Sequence, residues 1–342
     1  MRYLVLLILP LLLVACDSND PAPEPGASAV LVANQGNFSD GDGSVTAYDP
    51  ETGTATERIG GLASIVQSVE LSGDRLFVTA NSGGRVEVRS ARSGERLGLV
   101  EVESPRYVAS AGPNKAYVTS LLYDRPSEVV VFDPSTQEVA GTVEVGGFAE
   151  GIAVTNGRAY VAIGAFGAST EVVVLDIETD EVVERIDVGC VAPRFVLADG
   201  DGEVWIFCAG SPEDDGEIVV LDGASGDEVA RLAVGGRVLT AGPGQDAFFA
   251  PDAQEMYVVK DEATVLRFDA AANALRDELD LGGAPIGAVA YDARTERLYV
   301  GRADPDNPYT AAGAVTIHDR AGAEVGRFAA GVLPSHIALV AD

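Results

Sequence analysis

Short apolar runs of strand length, bounded by turn residues, fill the chain from residue 28 onward; Glu128-Val129-Val130-Val131-Phe132 and Glu171-Val172-Val173-Val174-Leu175 are examples. No helical period of 3.6 residues competes with them, which excludes a helical solenoid. One larger pattern recurs: a strand ending in aspartate, a turn, a second strand, then a glycine stop. The aspartates are Asp49, Asp133, Asp176, Asp222, Asp269 and Asp319, with Ser90 in the equivalent place of one copy. Their successive spacings are 41, 43, 43, 46, 47 and 50 residues. An aromatic or β-branched strand precedes most of them: Leu76-Phe77-Val78, Ala116-Tyr117-Val118, Ala159-Tyr160-Val161, Val204-Trp205-Ile206, Met256-Tyr257-Val258 and Leu298-Tyr299-Val300.

A period of about 40–50 residues with four short strands per unit predicts an all-β fold, a seven-bladed β-propeller of four-stranded antiparallel blades. The termini agree with closure. Blade one starts at Val30-Leu31-Val32-Ala33 without the strand that precedes it in every other copy. The chain ends on a surplus segment, Pro334-Ser335-His336-Ile337-Ala338-Leu339-Val340. The C-terminal strand is therefore expected to complete blade one and remove two free sheet edges. The recurring aspartates are expected to cap turns rather than to form catalytic carboxylate pairs.

Composition narrows the functional classes. Of 342 residues, 53 are acidic and 23 basic, a net charge of −30 that repels phosphate backbones and argues against nucleic-acid binding. At the N-terminus, Arg2 precedes an apolar stretch from Tyr3 to Val14, too short to span a bilayer, which needs ~20 residues. It ends in Leu13-Val14-Ala15-Cys16 and is followed by the polar, proline-rich Asp17–Gly26.

That junction resembles the lipobox of bacterial lipoproteins. The resemblance implies a signal peptide over residues 1–15, lipid on Cys16, a flexible tether to residue 27, and a propeller over 28–342. Phe77-Val78-Thr79-Ala80-Asn81 and Tyr117-Val118-Thr119 resemble the repeats of surface-layer-type propellers with Tyr-Val-Thr-Asn motifs. Ala33-Asn34-Gln35-Gly36-Asn37-Phe38, Tyr48-Asp49-Pro50 and Trp205-Ile206-Phe207-Cys208-Ala209-Gly210 are similar to stretches of propeller lipoproteins from Gram-negative outer membranes. Some members of that family capture cobalamin and pass it to a TonB-dependent transporter. The resemblance thus implies an outer-membrane, lipid-anchored protein facing the cell surface or periplasm, with a small-molecule ligand as partner.

The loops between second and third strands and the crossovers between blades share one face, and they are long and unequal; the turns of the other face are short. Function concentrates in loops on a rigid scaffold, so the long-loop face is the expected site. Its aromatic and basic residues suit a large planar ligand bearing amides or a phosphate. The candidates are Asn37, Phe38, Arg106, Tyr107, Tyr123, Arg125, Phe166, Arg194, Phe195, Arg302, Tyr309 and His336. Phe148, Arg237 and Lys260 fall on the same face. A protein-interaction scaffold and a metal-dependent lactonase-type hydrolase are the alternatives. Catalysis is the weaker expectation: the chain has two histidines, His318 and His336, and no phosphate loop, and neither a metal nor a cofactor is expected. Cys190 and Cys208 approach the same face, so a disulfide between them is geometrically open, although residue counting offsets them by about four positions.

Overall fold

A computed structural model describes residues 27–164, 169–242 and 244–341. The segments expected to be a signal peptide (residues 1–15), a lipid-bearing Cys16 and the tether as far as residue 26 lie outside the described residues, as does Phe166. Seven four-stranded antiparallel sheets form a ring, the seven-bladed β-propeller that the repeat predicts. Six blades run inner to outer in chain order. In blade one the inner strand is the C-terminal Pro334–Val340, hydrogen-bonded to Ala29–Asn34 with Leu31 opposite Ala338 and Ala33 opposite His336.

The recurring aspartates act as turn caps between third and outer strands. Asp49 Oδ1 accepts from Glu51 N and Thr52 N, Asp176 Oδ1 from Glu178 N and Thr179 N, and Asp222 Oδ1 from Ala224 N and Ser225 N. In the odd copy Ser90 Oγ accepts from Ser93 N at 3.2 Å. Each such turn satisfies its own backbone and needs no neighbour.

The core lies in wedges between adjacent blades. Phe77, Tyr117, Tyr160, Trp205, Tyr257 and Tyr299 occupy one register of the second strands, all almost fully buried, with Leu31 in their place in blade one. Polar tips tie several of them across blades: Tyr117 Oη donates to Asp180 Oδ1 at 2.5 Å and Tyr160 Oη to Gly223 O at 3.1 Å. The outer strands are exposed and carry charge, as in Glu181–Asp187 and Ala274–Asp280, which discourages edge-to-edge pairing.

Cys190 and Cys208 form a disulfide with a Cα–Cα distance of 5.9 Å. The offset in residue counting is absorbed because the crossover runs beside the end of the second strand: Ala209 N donates to Ala192 O and Gly210 N to Val191 O. The bridge closes a separation of 18 residues, for which loop entropy gives about 3 kcal/mol. Replacing both cysteines with alanine should lower unfolding free energy by about that amount. Urea titration of the ring checks this, and an unchanged midpoint would contradict it.

Candidate ligand-binding site

The inner strands surround the ring axis, and their first residues control what closes it. Six of the seven begin with a register shift, between Val66 and Val69, Pro105 and Val108, Ala149 and Ile152, Pro193 and Phe195, Ile286 and Ala288, and at Ser335 opposite Ala33/Asn34. Such bulges re-aim side chains. Here they bring Arg106 to Glu150, with Nε to Oε2 at 2.8 Å and Nη2 to Oε1 at 2.5 Å, while Nη1 reaches Gln67 Oε1. Arg194 pairs with Asp246 in the same two-pronged way and also reaches Thr240 Oγ1. Desolvation works against both guanidinium charges, but Glu150 and Asp246 outweigh it and raise both pKa values.

Just inside these pairs lies an aromatic layer. Tyr107, Phe195 and His336 stand at one level, with ring centroids 5.5, 5.7 and 6.2 Å apart. They come from blades three, five and one. The other blades place Ser68, Gly151, Asp246 and Ala288 at that level, so smaller side chains separate the three rings around the axis. Gly151 is required there: a Cβ would stand 2.8 Å from Val196 N and 2.9 Å from Phe195 Cα. His336 is buried, and among the described residues neither ring nitrogen has a well-formed hydrogen bond. Burial, then the nearby Arg106, pushes its pKa down to about 3, so it is neutral at physiological pH. Burial and then Glu150 raise the Tyr107 hydroxyl above its ordinary value.

Behind this plug the axis is hollow. A cavity of about 540 Å³ runs from Tyr107, Phe195, His336 and Gln245 along the inner strands to Pro251, Asp252, Ala293, Arg294 and Ala341. Pro251, Asp252, Ala293 and Arg294 sit at turns between first and second strands and Ala341 follows the C-terminal strand, so the mouth opens on the short-turn face. Val69, Val108, Ile152, Val196, Phe248, Tyr291 and Ile337 make the walls mainly apolar.

One wall residue departs from this pattern. Glu70 faces Phe77 in the register that Ala109, Ala153, Leu197, Phe248, Ala290 and Ala338 occupy in the other blades. Water in the cavity reaches its side chain, but protein encloses it, and that desolvation pushes its pKa from 4.5 up to about 8. Among the described residues it has no hydrogen-bonding or ionic partner. Glu70 lies on an inner strand, so a search of the loops misses it. The signal in the sequence is a charge at a place where every other blade is apolar.

The eleven described candidates fall into three groups. Arg106, Tyr107, Arg194, Phe195 and His336 meet at the closed end of the axial cavity. Tyr123 and Phe148 lie together on the long-loop face with centroids 5.9 Å apart, and Arg125 beside them pairs with Glu103 at 2.7 Å. Phe38 and Tyr309 are 70% and 55% exposed on the same face. Asn37 organises its own loop, its Oδ1 accepting from Ser39 N while Asp42 Oδ1 accepts from Asn37 N. Arg302 is buried and donates to Ala284 O and Thr316 Oγ1; burial lowers its pKa to about 10. His318 is likewise buried and bonded to Gly322 O and Thr316 Oγ1, with no ion pair to a carboxylate among the described residues.

Two outcomes are expected from this geometry. Arg106→Met leaves Glu150 buried without its counter-charge and should cost about 3 kcal/mol or more of stability, read from the urea midpoint. For Glu70, the folded pKa lies above the unfolded one, so the folded state holds the extra proton between pH 4.5 and about 8. Wild type should therefore lose stability relative to Glu70→Gln as pH rises through that window. Parallel stability curves for the two proteins would contradict the assignment.

The ring resembles known propellers in shape. A chain of hydrazine synthase from Kuenenia stuttgartiensis superposes with a TM-score of 0.66 at 20% identity, covering 79% of this chain and 88% of that one. A functionally unknown protein from Desulfotomaculum acetoxidans DSM 771 superposes with a TM-score of 0.71 at 14% identity, covering 92% and 99%. At these identities the likeness concerns the fold alone. No curated protein matches the chain in sequence. Residues 28–221, more than half of the chain, match the family model described as a domain of unknown function (DUF5074), and the chain belongs to that family.

Proposed function

We propose that this propeller is a binding protein that captures a small, largely apolar ligand in its axial cavity, outside the cytoplasm and anchored by lipid on Cys16. The observation that carries the reading is the cavity itself: about 540 Å³, blind at one end, mostly apolar and open at the other. That volume falls within the ~300–1,000 Å³ common for small-molecule sites. The closed end is fixed by two buried ion pairs and needs no reorganisation to receive a ligand. The described side chains bind and exclude water; they offer no arranged nucleophile and base, which favours binding over catalysis.

Ala27 supports an orientation for the anchored protein. Its backbone N donates to Asp292 Oδ2 at 3.0 Å, and both residues line the cavity mouth. Ten residues lie between Cys16 and Ala27, a reach of at most ~40 Å. A lipid on Cys16 would therefore hold the mouth toward the membrane and the long-loop face away from it.

The exposed aromatics favour a second ligand surface. Cobalamin is too large to be enclosed in the axial cavity, so capture of cobalamin for a TonB-dependent transporter would use Phe38, Tyr123, Phe148, Tyr309 and Arg125 on the long-loop face. Two coloured probes separate the surfaces. Nile red, neutral and apolar, should bind wild type and lose at least about tenfold in affinity in Ala338→Trp, which fills the cavity wall. Tyr123→Ala should leave Nile red unchanged and prevent cobalamin from co-eluting with the protein on gel filtration. Nile red binding that survives Ala338→Trp would overturn the cavity reading.

A further inference from the structure

We propose that the axial cavity selects an apolar molecule carrying one protonated amine, with Glu70 as its counter-charge on the wall and the apolar end against Tyr107, Phe195 and His336. The inference rests on the cavity being the binding site and names the class of ligand it takes.

Two polar groups are left over in an otherwise apolar cavity, and they differ in kind. Glu70 is a carboxyl with no partner among the described residues, at a level two residues nearer the mouth than the aromatic layer. Two residues of strand are about 6.6 Å, so a ligand touching both must be elongated. His336, at the closed end, is neutral and its ring nitrogens have no well-formed hydrogen bond among the described residues, which suits ring contact or one neutral hydrogen bond and not a second charge. The remaining charged groups of the lining are already engaged. Asp252 Oδ2 accepts from Arg294 Nε at 3.1 Å. Asp292 accepts from Ala27 N, Arg294 N and Thr295 Oγ1, and the Tyr291 hydroxyl accepts from Arg320 Nη1. Glu70 is thus the wall carboxyl that a cationic guest can claim. An ammonium there supplies the partner that burial withholds, and in an enclosed site such a charge-assisted hydrogen bond is stronger than a neutral one. A carboxylate-bearing guest would meet Glu70 as a like charge and be rejected.

The test compares three probes of equal chain length, octylammonium, 1-octanol and octanoate, by calorimetry on residues 27–342, a span that contains the twenty-eight strands found among the described residues. Measurements at about pH 9 keep the Glu70 carboxyl ionised and the amine protonated. Wild type should bind octylammonium at least about tenfold more tightly than octanol, and octanoate most weakly. In Glu70→Gln the advantage of the amine over the alcohol should vanish. The acidic surface attracts octylammonium equally in both proteins, so the difference between them isolates the cavity. Equal binding of amine and alcohol by wild type, or an amine advantage that persists in Glu70→Gln, overturns the proposal while leaving the cavity reading intact. Failure of all three probes to bind overturns both.

Discussion

Everything in this molecule depends on the pairing of the C-terminal strand with Ala29–Asn34. It joins the last residues of the chain to the first strand of the ring across some three hundred positions, with Ser28 N and Val340 O continuing the ladder. Without it, blade one would lack its inner strand and the ring would keep two free edges. The same strand also supplies His336 to the aromatic layer and Ala338 and Leu339 to the cavity wall. Closure of the fold and completion of the candidate site are therefore one event, and a chain that fails to close the ring has no site.

Inside the closed ring, seven similar blades produce an axis that is different at its two ends. The bulges at the starts of the inner strands turn charged side chains inward, where each finds a partner one blade further on: Arg106 and Glu150 are 44 residues apart, Arg194 and Asp246 52. Buried charges are tolerated only when paired, and these pairs hold the end shut. Beneath them three rings separated by smaller side chains fill the axis. Toward the other end four of the inner strands carry only alanine at the level of Glu70 (Ala109, Ala153, Ala290 and Ala338), and the cavity remains.

The ring is legible in the sequence because its signals are local. An aspartate that caps its own turn, or an aromatic residue in each second strand, repeats whatever its neighbours do, and a surplus strand at the end can be matched by eye. The axial cavity is not legible in the same way. Which inner-strand side chains reach the axis depends on bulges that shift the register, and a one-residue shift moves every side chain to the other face. Sequence alone puts Arg106, Tyr107, Arg194, Phe195 and His336 among the binders of the long-loop face. The structure gathers them, but two of the five are held by carboxylates a blade away, a partnership that spacing alone does not disclose. Asn34, in the stretch that resembles lipoprotein propellers, has a structural role, since its side-chain amide bonds Ser44, Thr46 and Gly331 and fastens blade one to blade seven.

On the proposed reading, ligand enters along the axis from the short-turn face and stops at the aromatic layer. The most direct measurement is the anomalous difference density of crystals grown with 8-bromooctylamine. A bromine peak is expected inside the ring, against Tyr107 and Phe195 and on the cavity side of the Arg106–Glu150 pair. A bromine peak on the long-loop face beside Tyr123, or an axial cavity left empty while bromine binds elsewhere, would contradict it.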